Sequence, residues 1–421
     1  MAKSRVGLWL IGAKGGVAST AILGLLALKK GLVGSAGLVS QLPPFQRIGL
    51  VDWDQFVVSG HEIRRTPLAD EAMRMAVESR HPALPAIVEQ CRAELDEIDA
   101  RIRPGAILGS GKTIAALADW DGVGGRGAET PRQAIDRLGA DMDRFVQAEK
   151  LDDLIVVNVA STEPPIDASK LPASWKELER LLGSNETAIG LPASSLYAIA
   201  AFERGYSHVN FTPSLGASPA AIDELARSRG VCHYGCDGKT GETLMKSVLA
   251  PMFARRNLQV LSWVGHNIFG NMDGRVLDDP ENKRAKLASK DHLVGDILGY
   301  KPSTLVSIEY LPDLGDWKTA WDHIHFAGFL GVPMTLQFIW QGCDSLLAAP
   351  LVLDLVRFTE LAHRRGHAGQ TPFLASFFKS PYGVAEQCFD RQFETLLDWA
   401  KSCETSGGDR RVGPVARRLP L

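Results

Sequence analysis

The first 30 residues constrain the fold of this chain more than any other stretch. An apolar run from Val6 to Ile11 predicts a buried strand, the glycines at 12, 15 and 16 predict a turn, and residues Val17 to Lys30 predict a helix. This order places free backbone N–H groups and the positive end of the helix dipole where a pyrophosphate can bind. The glycine spacing differs from GxGxxG, so the stretch taken alone is equally compatible with an ordinary strand-to-helix turn.

Further along the chain, apolar strands alternate with helices. Leu154 to Val159 is apolar at every position except Asn158, which is typical of a parallel strand covered on both faces. Strands are also predicted at His208 to Phe211 and Val231 to Tyr234, with a helix from Pro219 to Arg229 between them. The alternation predicts an α/β fold with a doubly wound, Rossmann-like sheet.

The pattern changes after Leu258, where strands follow one another. We predict strands at Val260 to Val264, Thr304 to Tyr310 and Thr335 to Trp340, and then a long helix from Leu346 to Leu361. This region therefore differs in architecture from the alternating part that precedes it.

Composition excludes several classes of protein. The 46 basic and 49 acidic residues leave a net charge of −3, which gives no general field for nucleic acid. The six cysteines are too sparse for a disulfide scaffold, and no second ligand pair accompanies Cys232 and Cys236 at zinc spacing. The apolar run from Val17 to Leu28 is shorter than the ~20 residues that a membrane span needs. We expect a soluble, cytoplasmic protein with no metal site and no nucleic-acid or membrane partner.

A polar stretch at residues 266–290 sets a predicted loop against two lysines. Asn267 and Asp273, with glycines beside them, supply polar groups on a backbone that can approach a ligand closely. Lys286 and Lys290 are four apart, so on a helix they share one face and repel each other unless an anion lies between them. The stretch is either a solvated basic face or a site for an anion such as a phosphate.

Ordered blocks of sequence throughout the chain resemble the myo-inositol-1-phosphate synthase family. The polar stretch is one of them, and the chain departs from the family pattern at Lys14, Cys236, Ile268 and Cys343. The other blocks are LIGAKGGVAST from Leu10, DQFVVSGHEIR at 54–64, LIVVNVASTE at 154–163, GCDGKTGETLMKSVL at 235–249, IEYLPDLGDWK at 308–318, CDSLLAAPLVLDL at 343–355 and FLASFFKSPY at 373–382.

The resemblance implies that NAD is the cofactor. Glu62 matches the acidic residue that grips the adenosine ribose in the family, and a carboxylate there favours NAD over NADP. Asp52 and Asp54, which follow a predicted short strand from Ile48 to Val51, remain alternatives for this role. The predicted cofactor-binding residues are Gly12, Gly15, Gly16, Ser19, Thr20, Glu62, Ala160, Ser161, Thr162, Asp237, Thr240, Asn267 and Asp273.

The same resemblance implies an isomerase that converts glucose 6-phosphate to an inositol phosphate. A hydride leaves C5 for NAD, C6 loses a proton and attacks the C1 aldehyde, and the hydride returns. Such chemistry needs cations for the phosphate and for developing oxyanions, and an amine that can accept a proton. By family position, the predicted catalytic residues are Lys286, Lys290, Lys318, Lys379, Asp316 and Asp344.

Domain organisation and assembly also follow from the resemblance. We expect residues 1–245 to form the first part of the NAD-binding domain, 246–343 an inserted catalytic and tetramerisation domain, and 344–421 the return to the first domain plus a tail. The expected assembly is a homotetramer that binds a small sugar phosphate. A cation requirement stays open, as do two alternatives: a related cyclase acting on another sugar phosphate, and a NAD-dependent dehydrogenase without cyclisation.

Overall fold

A parallel sheet of seven strands organises the larger part of the molecule. The computed structural model describes residues 4–120, 129–183, 190–277 and 293–405. The strand order is β11-β6-β5-β4-β1-β2-β3, and every described pairing in this sheet is parallel. The strands are β1 Val6–Ile11, β2 Phe56–Glu62, β3 Arg103–Pro104, β4 Asp153–Asn158, β5 Ser207–Asn210, β6 Cys232–Gly235 and β11 Gly369–Gln370.

Helices cover both faces of this sheet, as the apolar strands predict. Leu8 and Leu10 of β1 pack into one hydrophobic cluster, whereas Trp9 and Ile11 pack into the cluster on the opposite face. The predicted α/β fold is confirmed. The helices are α1 Gly16–Lys29, α2 Leu68–Glu78, α3 Leu84–Gln90, α4 Arg92–Arg101, α5 Lys112–Ala115, α6 Pro131–Glu149, α7 Trp175–Gly183, α8 Ala193–Glu203, α9 Ala220–Arg229, α10 Gly241–Arg255, α11 Met272–Leu277, α12 at residues 293–298, α13 Asp344–Arg364 and α14 Phe389–Thr405.

The sheet has its topological switch point between β1 and β4. From β1 the chain adds β2 and β3 toward one edge, then returns to the other side of β1 and adds β4, β5 and β6. Loops at the carboxyl ends of β1 and β4 therefore diverge and leave a crevice, which is where open α/β sheets bind their ligands. No helix of the described residues is long and apolar enough to cross a membrane.

The predicted strand from Ile48 to Val51 is wrong, because that segment has no regular structure. Gly49 breaks it with a φ of +82°, and the second strand of the sheet is Phe56–Glu62 instead. The irregular segment is held by α13: Arg357 donates from Nε to the carbonyl of Val51 at 2.9 Å and stacks on the ring of Trp53.

A second, mixed sheet of four strands lies after residue 258. Its order is β10-β9-β7-β8, with β7 and β8 parallel and the other pairs antiparallel. The strand β9 was not predicted, because the fully buried Asp322 stands among the apolar residues of its inner face and interrupts the alternation that identifies a strand. The strands are β7 Gln259–Phe269, β8 Ser303–Tyr310, β9 Trp317–Ala327 and β10 Pro333–Cys343.

The start of the polar stretch, which was predicted to be a loop, belongs to this sheet instead. Strand β7 continues to Phe269, so His266 and Asn267 lie on a strand, and Asn267 is fully buried on its inner face. The apolar residues Trp263 and Phe269 share that face, which explains why the strand extends past the predicted end at Val264.

Replacement of Asp354 tests the contact that holds the connection between α1 and β2. The Asp354 carboxylate is fully buried and accepts hydrogen bonds from the backbone N–H groups of Val39 at 2.7 Å and Ser40 at 2.9 Å. Because Asp354→Ala leaves both donors without an acceptor, we expect the free energy of unfolding to fall by ~2–4 kcal/mol in urea denaturation. The control Asp398→Ala removes an exposed partner of Lys401 and should change it by less than ~0.5 kcal/mol. If the two variants lost the same free energy of unfolding, Asp354 would not be the contact that holds this connection.

Candidate active site

The glycine turn after β1 is shaped by the neighbouring strand β4. Gly12 has a φ of +80°, and a Cβ atom there would lie 2.9 Å from the Cα of Ala160. A Cβ on Gly16 would meet Ser345 Oγ at 2.7 Å. Helix α1 begins at Gly16 with neither a capping side chain nor an acidic residue in its first turn. The N–H groups of residues 12 to 15 already donate to protein oxygens, so the uncapped N–H groups at the start of α1, from Gly16 onward, are those available to an anion.

Glu62 ends β2 and lies beside the glycine turn. Its Oε2 accepts the backbone N–H of Lys14 at 2.8 Å, and its Oε1 accepts those of Ile63 at 2.8 Å and Arg64 at 3.2 Å. Because the connection from α1 to β2 is long, this acidic residue comes later in sequence than usual while keeping the usual place at the carboxyl end of the second strand.

The alternatives for the ribose-binding residue lie at the amino ends of the parallel strands, opposite the crevice. Asp52 and Asp54 precede β2 and are exposed, whereas the crevice is at the carboxyl ends of the strands. The geometry thus favours Glu62 among the three candidates.

Lys14 departs from the family pattern without obstructing the cleft. Its Nζ is buried, lies 2.8 Å from Asp99 Oδ1 and sits 4.9 Å from the centre of the Trp120 ring. The side chain therefore points away from the turn, and only the backbone of Lys14 takes part in it.

A cavity of about 460 Å³ extends from the glycine turn to the second sheet. Most of the predicted site residues line it. Ser19 and Thr20 do not: α1 has turned inward at these positions, and Ser19 Oγ is buried and donates to the Gly16 carbonyl. Buried Asn267 does not line it either. The predicted residues on its wall are Gly12, Gly15, Gly16, Glu62, Ala160, Ser161, Thr162, Asp237, Thr240, Asp316, Asp344 and Lys379.

Asp237 and Lys379 form a buried ion pair at the far end of the cavity, with 2.8 Å between Oδ1 and Nζ. A short antiparallel bridge between Gly238 and Phe378 aligns them. Within it the N–H of Lys379 donates to the carbonyl of Asp237, and that of Lys239 donates to the carbonyl of Phe377, both at 2.7 Å. The backbone therefore sets the position of this ammonium group.

A second lysine, Lys318 on β9, lies beside the start of α13. Its Nζ is 3.7 Å from Asp344 Oδ2 and 5.4 Å from the centre of the Phe269 ring. Asp344 lines the cavity whereas Lys318 does not, so this predicted catalytic lysine approaches the wall only through its pair with Asp344.

Asp316 is saturated by contacts with groups other than lysine. Its carboxylate accepts from Asn271 Nδ2 at 3.0 Å, from Cys343 Sγ at 2.9 Å, and from Ser345 through both Oγ and backbone N at 2.7 Å. Burial raises the pKa of Asp316, while the hydrogen bonds from Cys343 and Ser345 oppose that shift. Among the described residues, Asp316 therefore joins α13 to the ends of β7 and β10, and it makes no contact with a lysine.

Three predicted residues cannot be placed in this geometry. Lys286 and Lys290 lie outside the described residues, and Asp273 belongs to α11 but its side chain is outside the described set. In the described parts of the chain, no group of three or more His, Cys, Asp or Glu residues could hold a metal ion.

Sequence reasoning missed two buried titratable groups near the site. Glu163 lines the cavity and accepts hydrogen bonds from the backbone N–H and the hydroxyl of Ser194, and burial raises its pKa to about 7. Burial, with a smaller effect of Lys379, lowers the pKa of Lys239 to about 7, and its Nζ donates to Gln392 Oε1. Both residues belong to sequence blocks that resemble the family, but nothing in the neighbouring sequence indicates that they are buried.

The arrangement suits a negatively charged small molecule held across the crevice. The N-terminus of α1 provides an anion site at one end. At the other, the ammonium groups of Lys379 and Lys318 are each paired with an aspartate, so each pair offers fixed hydrogen-bond donors without net charge. Ammonium groups at fixed positions stabilise oxyanions without reorganisation.

Comparisons with known proteins identify the family of the chain. A NAD-binding family model described as Myo-inositol-1-phosphate synthase matches residues 6–401. The inositol-3-phosphate synthase 1 of Bacteroides thetaiotaomicron is 33% identical over 405 residues, covering 90% of each chain. The rat inositol-3-phosphate synthase 1 is 34% identical over 244 residues, which are 56% of this chain and 43% of that protein.

Two solved structures share the fold. The inositol-3-phosphate synthase of Caenorhabditis elegans superposes with a TM-score of 0.84 at 24% identity, covering 100% of this chain and 90% of that one. A myo-inositol-1-phosphate synthase-related protein from Thermotoga maritima gives a TM-score of 0.73 at 27% identity, covering 94% and 98%.

The raised pKa of Glu163 predicts a pH-dependent stability. Since the folded pKa is about 7 against an ordinary 4.5, folded Glu163 retains a proton that the unfolded chain has lost between these values. This contribution is full below pH 4.5 and is lost as the pH rises through 7. We expect wild-type stability to fall by up to roughly 3 kcal/mol more than that of Glu163→Gln between pH 4.5 and 8. Parallel pH profiles in chemical denaturation would contradict this.

Proposed function

Because the chain belongs to the myo-inositol-1-phosphate synthase family, we propose that it cyclises D-glucose 6-phosphate to 1D-myo-inositol 3-phosphate, the first step of inositol biosynthesis. The observation that carries this proposal is the joining, in one cavity, of a dinucleotide-type glycine turn and the buried Asp237–Lys379 pair. The family is one of enzymes that use NAD, and its model spans nearly the whole chain.

The residues at the switch point fit NAD. Gly12, Gly15 and Gly16 leave room for a pyrophosphate against the N-terminus of α1, and Glu62 is placed to accept hydrogen bonds from the adenosine ribose. Ala160, Ser161 and Thr162 at the end of β4 line the same crevice. Bound NAD supplies the hydride acceptor for the first oxidation and the donor for the final reduction.

The charged residues at the other end are proposed to serve the sugar phosphate. Lys379 and Lys318, oriented by Asp237 and Asp344, stabilise negative charge that develops on the substrate oxygens. Asp316 keeps the start of α13, and with it Asp344, in place.

The proposal also includes Lys286 and Lys290, by family position, as ligands of the substrate phosphate. One of the site lysines accepts the proton from C6 in its uncharged form, and the ammonium groups that remain charged hold the phosphate and the oxyanion. Removal of one hydride and its return leave no net redox change.

A second candidate function is a sugar-phosphate dehydrogenase or a cyclase for another sugar phosphate. The observation that favours it is Cys236, which stands beside Asp237 where the family has a carboxylate, and whose pKa burial raises to about 12. One negative charge is thus absent from the lysine end of the cavity. A dehydrogenase accumulates NADH with its substrate, whereas a cyclase does not, so assays of hexose phosphates that follow both product and NADH separate the two.

Removal of the Lys379 charge tests the assignment of this end of the cavity. We expect Lys379→Met to reduce turnover of glucose 6-phosphate by at least ~100-fold, because the ammonium acts on charge that develops during reaction. The double variant Asp237→Asn/Lys379→Met avoids leaving a buried carboxylate without its cation, and should fold, bind NAD in calorimetry and be equally inactive.

The matched control is Lys401→Met, which removes an exposed lysine of α14 and should keep full turnover. Near-normal turnover in the Lys379 variants would refute the proposed site. The same assay on Lys286→Ala and Lys290→Ala tests the lysines that lie outside the described residues.

We also propose that the chain assembles as a homotetramer in the cytoplasm. The β9–β10 hairpin and β10 expose large apolar side chains, with Phe329 at 88%, Leu330 at 83% and Ile339 at 69% relative exposure. Val332 and Met334, at 53% and 38%, extend the exposed apolar residues of the hairpin loop, and a group of this kind marks an association surface. All six cysteines are free thiols, which suits a reducing compartment.

Light scattering tests the assembly. We expect a mass near four times the 45.6 kDa of one chain at micromolar concentration. Phe329→Asp/Ile339→Asp should lower that mass, because burying two unpaired carboxylates in an interface is costly. Val77→Asp on α2, which is 61% exposed, is the apolar-to-acidic control and should leave the mass unchanged. A wild-type monomer would refute the proposal.

A further inference from the structure

We propose that Arg64 is a second determinant of which dinucleotide the cleft binds, and the group that binds a ribose 2′-phosphate when the Glu62 carboxylate is neutralised. The inference rests on the proposed NAD site and extends it to the discrimination between NAD and NADP. It concerns a residue that the site predictions did not include.

Arg64 is attached to both elements of the adenosine end of the cleft. Its Nη2 donates to the carbonyl of Lys14, within the glycine turn, at 2.6 Å, and its Nε lies 3.7 Å from Glu62 Oε1. The side chain lines the cavity and is 18% exposed. The guanidinium therefore has a defined position next to the carboxylate that is placed to meet the ribose hydroxyls.

The two side chains have complementary unused hydrogen-bonding capacity. Glu62 accepts three backbone N–H groups, while a carboxylate offers about four acceptor positions, so Oε2 can still accept from a ribose hydroxyl. Nη1 of Arg64 makes no hydrogen bond within the described parts of the chain. A guanidinium with a free Nη1 edge can donate to phosphate oxygens.

Charge decides which dinucleotide this pair accepts. A 2′-phosphate next to an ionised Glu62 meets a negative charge, and Arg64 offsets part of that repulsion. Because the guanidinium lies within 3.7 Å of the carboxylate, it is within reach of a phosphate carried on the hydroxyl that Glu62 binds. Neutral Glu62 would leave the attraction of Arg64 unopposed.

The other described cations near the cleft are occupied elsewhere. Lys14 Nζ pairs with Asp99 and does not line the cavity. Arg74 donates to both oxygens of Glu71 and to Glu78 Oε1. Lys379 lies at the opposite end with Asp237. Arg64 is thus the described cation of the cavity wall that adjoins Glu62.

Calorimetry with NAD and with NADP on nucleotide-free protein tests the inference without relying on turnover. We expect the wild type to prefer NAD, and Glu62→Gln to bind NADP at least ~10-fold more tightly than the wild type does. The Gln variant keeps an acceptor oxygen for the N–H groups of Ile63 and Arg64, and its NH2 group replaces the oxygen that accepts from Lys14. Adding Arg64→Ala should remove that gain, and Arg64→Ala alone should weaken NADP more than NAD. Arg65→Ala, an exposed neighbour that does not line the cavity, is the control and should change neither affinity.

Two outcomes overturn different statements. If Glu62→Gln/Arg64→Ala binds NADP as tightly as Glu62→Gln while NAD binding persists, the role of Arg64 is wrong and the NAD site stands. If the wild type binds neither dinucleotide, the NAD site itself fails and the inference fails with it. Thermal melting of each variant identifies loss of folding, and Arg64→Lys, which retains charge without the planar fork, should keep only part of the NADP affinity gained in the Glu62→Gln background.

Discussion

The buried carboxylate of Asp316 is the contact on which the relation between the two sheets depends. It joins Asn271 after β7, Cys343 at the end of β10 and Ser345 in the first turn of α13, and its backbone N–H donates to Glu78 Oε2 at the end of α2. This side chain thus joins the first turn of α13 to the ends of β7 and β10, and the neighbouring Trp317, whose Nε1 donates to the Glu78 carbonyl at 2.6 Å, adds a second link to α2. Loss of a carboxylate with this many buried donors would leave several of them unsatisfied at once.

The features that the sequence predicted correctly are those that depend on local pattern. The strand Val6–Ile11, the helix that follows the turn and helix α9 are all set by neighbouring residues. Strand β9 and the place of Asn267 were not predicted, because buried polar groups on a strand interrupt the alternation that identifies it. Arg64 contacts Lys14, and Glu163 contacts Ser194, both distant in sequence. Residue spacing and local composition therefore do not identify Arg64 or Glu163 as part of the site.

The departures from the family pattern have different physical consequences. Lys14 is neutralised by Asp99 and leaves the cleft open, whereas Cys343 donates its thiol hydrogen to Asp316 and so joins the contact between the sheets. Cys236 removes a carboxylate beside the Asp237–Lys379 pair. Cys343 also stands where the family has a glutamate, so both cysteines remove a carboxylate from the proposed sugar-phosphate end, and these are the departures that bear on substrate choice.

The pairing of Asp237 with Lys379 also imposes an order on synthesis, since the two residues are 142 positions apart in the chain. Strands β1 to β6 and the whole second sheet leave the ribosome before Lys379 does. A nascent chain can therefore form the nucleotide crevice while the lysine end still lacks its bridge between Gly238 and Phe378. If Lys379 acts as proposed, the lysine end is completed only when synthesis has passed Phe378, whereas the glycine turn, Glu62 and the residues after β4 are present more than 200 residues earlier.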